Sequence, residues 1–261
     1  MLSATLAPNA PLKTIVETLK ELVAECNWYA TNEGIIVRAM DASHVALCDV
    51  RLVADGFSTY SCASPVTMGL NLVSFGKLMK CQRPKDGVTL EAEANGESLD
   101  LTFGPFETTK PTTSRACYAL KLMDIDTEEL GEPPSYSITS ATFASDEFHR
   151  ICKDIVSLGN RCELTLNKDG VRFQVKGDIA DADVRVGLSD VQMTFSDADG
   201  NDQIASGVFA AKYLLQFSKA ASLTSNVTLS LTTGAPLKVA FDLGEFGRMW
   251  FYLAPKVEED E

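Results

Sequence analysis

The chain says the same thing twice. A helical stripe of Leu12, Ile15, Val16 and Leu19 recurs as Phe148, Ile151, Cys152 and Ile155, each pair 136 residues apart. The same offset relates Gly34-Ile35-Ile36-Val37 to Gly170-Val171-Arg172-Phe173, and both follow a polar turn, Asn32-Glu33 and Lys168-Asp169. Phe75 and Met79 match Tyr213 and Phe217 at an offset of 138, and Val88-Thr89-Leu90 matches Val227-Thr228-Leu229 at 139. A single match between β-rich segments is what chance supplies. Their common order and nearly constant spacing point to duplication. A duplicated chain of 261 residues is expected to fold as two like domains of ordinary size.

Each half carries two helical patterns among many short strands. The first stripe extends through Leu22 and Val23, which predicts a helix between Pro11 and Glu25. Its counterpart has Ser145 placed as an N-cap, with Asp146 and Glu147 in the first turn. Alternating or apolar β-type runs occupy 35–39, 45–52, 88–92, 99–103, 164–166, 184–188, 227–231 and 237–241. Asp86-Gly87, Asn95-Gly96 and Asp169-Gly170 read as hairpin turns. The expected fold class is α+β: two similar domains, each with antiparallel sheets and two helices on one side. The domains are expected at 1–122 and 137–257, followed by an acidic tail at 258–261.

Between them, 123–136 holds five acids, no base and the pair Pro133-Pro134. Consecutive prolines bar a helix or a central strand, so this is read as an extended connector. Met123, Ile125 and Leu130 are apolar for a mere spacer and are expected to pack on something.

Charge is distributed unevenly. The formal net charge is −13, yet four amphipathic stretches carry basic pairs: Lys13 and Lys20, Lys77 and Lys80, Arg150 and Lys153, Lys212 and Lys219. Spacings of three and seven put both members of a pair on one flank of a helix. On one helix alone this is an ordinary solvated charge. Four helices with the same habit suggest one basic surface facing a polyanion, on a body whose remainder repels phosphates. Arg83 and Lys110 are weaker candidates for the same surface.

Other chemistry finds little support. The seven cysteines form no CxxC pair and sit mostly in apolar segments, which favours free thiols in a reducing compartment. Two histidines add little toward zinc, and no metal or cofactor is expected. Asp41, Ser43 and His44 tempt toward a hydrolase triad, but sequence neighbours rarely converge in one. The stretch Asp197-Ala198-Asp199-Gly200-Asn201-Asp202 lacks the ligand spacing of a calcium loop. No P-loop or GxSxG occurs, so no catalytic residue is assigned. Hydrophobic content of 45% supports real cores rather than disorder. No apolar run has transmembrane length, and the first ten residues lack the pattern of a signal peptide; a soluble, intracellular protein is expected.

Met40-Asp41-Ala42-Ser43-His44-Val45, Lys121-Leu122-Met123-Asp124-Ile125-Asp126, Phe148-His149-Arg150-Ile151-Cys152-Lys153-Asp154 and the ending Tyr252-Leu253-Ala254-Pro255-Lys256-Val257 resemble the proliferating cell nuclear antigen family of eukaryotic sliding clamps. The resemblance runs through the whole chain in order. It implies a homotrimeric ring that encircles duplex DNA without reading sequence and tethers polymerase, clamp loader, flap nuclease and ligase, with no membrane partner. Lys13, Lys20, Lys77, Lys80, Arg150, Lys153, Lys212 and Lys219 would then face DNA.

The resemblance also implies a pocket for short apolar-aromatic partner motifs at Met40, His44, Val45, Leu47, Leu130, Pro133, Pro236, Tyr252, Ala254 and Pro255. Glu132 stands where relatives are typically apolar, which bears on pocket depth. Ring closure would pair an edge at 117–121, with Tyr118 packing, against an edge at 183–189 that includes Val184 and Val186. The segment from Gly104 to Arg115, carrying Pro105 and Pro111, looks longer than usual. Lys168 matches the lysine that relatives conjugate to ubiquitin or its relatives. No compact basic import signal stands out, so nuclear placement follows from the resemblance alone. The rival assignments are an enzyme and a non-clamping scaffold or subunit of the heterotrimeric checkpoint clamp.

Overall fold

A computed structural model describes residues 1–8, 10–106, 114–126, 130–131, 139–195 and 204–256. The first half runs β1 (Leu2–Leu6), α1 (Leu12–Leu19), β2 (Glu25–Thr31), β3 (Gly34–Met40), β4 (Ala46–Val53), β5 (Thr59–Cys62), β6 (Val66–Asn71), α2 (Leu72–Met79), β7 (Asp86–Ala92), β8 (Ser98–Pro105) and β9 (Ala116–Lys121). The second runs β10 (Thr139–Ala144), α3 (Ser145–Leu158), β11 (Arg161–Asn167), β12 (Gly170–Val175), β13 (Ala182–Gly187), β14 (Val191–Phe195), β15 (Ala205–Ala210), α4 (Ala211–Ser218), β16 (Asn226–Leu231), β17 (Leu237–Asp242) and β18 (Gly247–Leu253).

The duplication holds strand by strand. Strands run β5-β1-β7-β8-β9 and β4-β3-β2-β6 in the first half; in the second they run β14-β10-β16-β17-β18 and β13-β12-β11-β15. Adding nine to each strand of the first half gives the second. Neighbouring strands pair antiparallel, for example Leu2↔Ala92 in one half and Thr139↔Leu231 in the other. This is the α+β class expected from the sequence, in two like domains.

The matching glycines show why the repeat is legible. Gly34 (φ 142°) and Gly170 (φ 125°) open β3 and β12 in a backbone region that other residues rarely adopt. A Cβ at Gly34 would lie 2.0 Å from the Leu52 carbonyl oxygen, and one at Gly170 would lie 2.1 Å from that of Val186. Both hairpins therefore need glycine at the same point.

Compact units cut across the two halves. One comprises Met1–Met40, Cys48–Leu130 and Leu243–Met249; the other comprises Asp41–Leu47, Gly131–Asp242 and Trp250–Glu261. In the first unit α1 buries Leu12, Ile15, Val16 and Leu19, and α2 buries Phe75 against Trp28, ring centroids 5.5 Å apart. In the second, α3 buries Phe148, Ile151, Cys152 and Ile155, and Phe217 of α4 stacks on Phe251 at 4.5 Å. Removing each large apolar side chain from water contributes about 1.5–3 kcal/mol, so these stripes hold the helices to their sheets.

Several local expectations need correction. α1 ends at Leu19 rather than continuing to Glu25, because the chain tightens into i→i−3 bonds from Glu21 to Thr18 and from Leu22 to Leu19. Ser145 is not an N-cap: it lies inside α3, buried, with its hydroxyl 3.3 Å from that of Thr224. Asp86-Gly87 is not a turn but the start of β7, paired with Pro105 and Gly104. Five cysteines are buried, while Cys81 and Cys117 are exposed. Burial pushes the thiols of Cys26 and Cys162 up to about 12, which keeps them protonated and inert.

Candidate nucleic-acid interface and partner surfaces

In the first unit the basic residues gather. α1 and α2 pack together, and Lys20, Lys77 and Lys80 line an open groove with Glu21, Val73 and Gly76. Gly76 makes this possible, since a Cβ there would meet the Lys20 stem at 3.3 Å. Lys77 and Lys80 are exposed; Lys13 and Lys20 are half-buried along their stems. Lys20 and Lys80 are the C-caps of their helices. A cation there is favoured by the helix macrodipole, which gives these two a local structural reason as well.

The second unit is dressed differently. Lys219 is the C-cap of α4, matching Lys80 at the offset of 139 that relates the two halves. Lys212 stands exposed, its Nζ 4.6 Å from the ring centre of Tyr213. Lys153 is exposed on α3. Arg150 is clamped on its own helix: Nη2 donates to Glu147 Oε1 at 2.6 Å and Nη1 to Asp154 Oδ2 at 3.0 Å. The Arg150 bond holds the Glu147 carboxyl below its ordinary range. Both acids stand at i−3 and i+4 in the sequence, a signal for neutralisation that the counting of basic pairs passes over.

The tempting cluster at residue 41 has a structural role. Asp41, 5% exposed, accepts bonds from the amides of Ser43 (3.1 Å), Val45 (2.8 Å) and Ala46 (2.7 Å), and from Tyr213 Oη (2.6 Å). Burial alone would raise this carboxyl; the Tyr213 hydroxyl and the three amides outweigh it and hold it below its usual range. His44 takes a left-handed backbone, φ 54°, at the tip of the loop. Val45 then accepts the Ala254 amide at 2.9 Å, and the Lys256 amide reaches Val208 at 2.7 Å. His44, Val45, Tyr252, Ala254 and Pro255 are thereby held in the second unit, with Pro236 exposed and Leu47 buried. Met40 and Leu130 belong to the first unit, both half-buried. Pro133 and Glu132 lie outside the described residues, as do Pro111, Lys110, the 197–202 stretch and the acidic tail.

Of the connector, residues 123–126 and 130–131 are described. Ile125 and Leu130 are half-buried as expected. Met123 is 41% exposed, and its attachment is through backbone. Lys168 is exposed in the β11–β12 turn, where Asn167 accepts the Asp169 amide.

Two terminal strands share one pattern. β9 ends its sheet in the first unit and β13 ends its sheet in the second, with the same alternation of half-buried and exposed positions. Tyr118 packs on Phe103 at 5.7 Å, Val184 is half-buried, and Val186 is buried within its own unit. Unpaired edges of this kind offer backbone groups for strand addition. Among the described residues no group of three His, Cys, Asp or Glu could hold a metal, and no helix is long and apolar enough to cross a membrane.

Comparison with known proteins agrees with this architecture. The family model for the N-terminal domain of proliferating cell nuclear antigen matches residues 1–129, and that for the C-terminal domain matches 134–256. Proliferating cell nuclear antigen of Chaetomium thermophilum is 37% identical over 263 aligned residues, covering 100% of both chains. The chain therefore belongs to the proliferating cell nuclear antigen family, and it is a non-catalytic DNA sliding clamp of replication.

Proposed function

We propose that Lys13, Lys20, Lys77, Lys80, Lys153, Lys212 and Lys219 face the duplex inside the ring, with Arg150 as a muted member. The observation that carries this is the groove of Lys20, Lys77 and Lys80 on a chain of net charge −13. Exposed lysines on flexible stems attract phosphates without reading bases, and interchangeable contacts of that kind permit sliding. Clamps of this family act as homotrimers that encircle DNA and bind polymerases and other replication factors. Retention then comes from topology, and an acidic exterior keeps DNA from adhering outside.

The same reading assigns partner-motif contacts to Met40, His44, Val45, Leu47, Leu130, Pro133, Pro236, Tyr252, Ala254 and Pro255. It assigns ring closure to the β9 and β13 edges with Tyr118, Val184 and Val186, and modification to Lys168. It takes 123–136 as the connector between domains 1–122 and 137–257, and it places the protein in the nucleus. Salt titration of duplex binding tests the lining. Replacing Lys20, Lys77 and Lys80 by Ala should flatten the slope of log K against log salt by about 0.9 for each phosphate no longer neutralised. An unchanged slope, with trimer mass intact, would remove the groove from the interface.

A further inference from the structure

The outer face of β6, β2, β3 and β4 is covered unevenly. Thr67, Ile36 and Val53 are exposed on it, whereas Gly69, Asn27 and Asp49 are buried on the same face. The described part of the connector meets the buried positions. The Met123 amide donates to the Gly69 carbonyl at 2.9 Å, and a Cβ on Gly69 would come within 2.0 Å of the Met123 carbonyl oxygen. Asn27, opposite Gly69 in register, donates from Nδ2 to the Ile125 carbonyl at 3.0 Å. Arg38 on β3 donates from Nη1 to the Leu130 carbonyl at 3.2 Å. Its Nε and Nη2 both hold Asp49 Oδ2 on β4, the first at 3.0 Å. Each strand in turn fastens the strap or supports its fastening.

The third fastening differs in kind. Only a guanidinium presents enough donors in a fixed fork to hold a carboxylate on one side and a carbonyl on the other. The Asp49 side chain is 1% exposed, and Arg51 Nε also reaches it at 3.2 Å. That buried anion fixes the plane of the Arg38 fork, and the fork fixes the Leu130 carbonyl. We propose that Arg38, oriented by Asp49, is the latch that holds the connector at Leu130, and is thereby a positioning residue for the partner motif. This rests on the reading above that places Leu130 among the motif contacts. With the latch open, the bonds at Met123 and Ile125 remain among the described residues, and Leu130 must be fixed when the motif binds, which lowers affinity.

The test uses the full-length trimer with Arg38→Lys and with the double variant Arg38→Gln/Asp49→Asn. Two quantities are read: amide exchange across 123–131, and calorimetric Kd for a synthetic peptide carrying a short apolar-aromatic motif. Arg38→Lys keeps a cation beside Asp49, so trimer mass stays as in wild type and the unfolding midpoint falls by no more than roughly 3–6 °C. Connector exchange should quicken, and peptide Kd should weaken on the order of tenfold, the scale of one charge-assisted hydrogen bond. The double variant removes both charges of the Arg38–Asp49 pair together, leaves Arg51, whose side chain is 29% exposed, in contact with solvent, and should show the same loosening. Unchanged exchange in Arg38→Lys overturns the latch, and faster exchange with unchanged affinity overturns its positioning role. A wild-type protein that binds no such peptide overturns the docking reading instead, and the exchange comparison still decides the latch.

Discussion

Tyr213→Phe removes one oxygen and leaves the ring that packs beside Phe217. That oxygen donates to a buried carboxylate at 2.6 Å. Asp41 keeps its three amide donors, so the loss is one charge-assisted bond, about 1.5–3 kcal/mol. For 261 residues that corresponds to a fall in Tm of roughly 3–6 °C. The assay is thermal unfolding at fixed protein concentration, since a trimer has a concentration-dependent midpoint. Acid sets the sign. Asp41 is depressed in the fold, so its contribution is present above the unfolded value near ~3.9 and is lost as pH falls through the lower folded value. The gap between variant and wild type should therefore narrow on acidification, leaving only a neutral hydrogen bond. A gap that stays constant with pH would mean ring packing, not the carboxylate, carried the effect. The same variant should weaken motif-peptide binding if His44 and Val45 are motif contacts as proposed, because Asp41 closes the loop that carries them.

The paired carboxylates on α3 give a second expectation: Glu147→Gln should remove one of the two anions that hold Arg150 and raise duplex affinity at low salt, whereas Arg150→Ala should cost less than Lys77→Ala. Fluorescence anisotropy on one duplex measures all three, and an Arg150→Ala loss equal to that of Lys77→Ala contradicts the neutralisation. The duplicated glycines give a third. Gly34→Ala and Gly170→Ala each force a side chain against a carbonyl oxygen, so both should lower the unfolding midpoint by similar amounts, each costing more than ~1 kcal/mol. A tolerated substitution at either position would break the equivalence of the two hairpins.

The repeat was legible because its carriers are intrinsic to local geometry: apolar residues at helical spacing, and glycines where φ is positive. The strands at 88–92 and 227–231 were legible for the same reason. Strands β1, β5 and β14 were not, because each is short and draws its pairing from residues far along the chain, as Leu2 does from Cys62 and Ala92. The basic pairs could be found by counting. Their inequality could not be weighed until side chains were placed, even though Glu147 and Asp154 flank Arg150 at helical spacing. Asp41 looked like chemistry because its partner Tyr213 lies 172 positions away. Arg38 and Asp49 are eleven apart on adjacent strands, and the sequence gives no signal of their role because Arg38's further acceptor is a backbone carbonyl at Leu130. Sequence patterns expose periodic burial; they are blind to bonds whose acceptor is main chain.

A sliding clamp holds DNA by enclosure rather than by adhesion, and topology can be changed without touching the protein. Wild-type protein loaded by a eukaryotic clamp loader and ATP onto a nicked circular plasmid should stay with it through gel filtration at high salt. It should leave once the plasmid is cut to a linear form, because phosphate contacts weak enough to permit sliding cannot retain an open-ended duplex at high salt. Protein that remains after linearisation, or that washes from the intact circle at the same salt, would contradict enclosure as the basis of its hold.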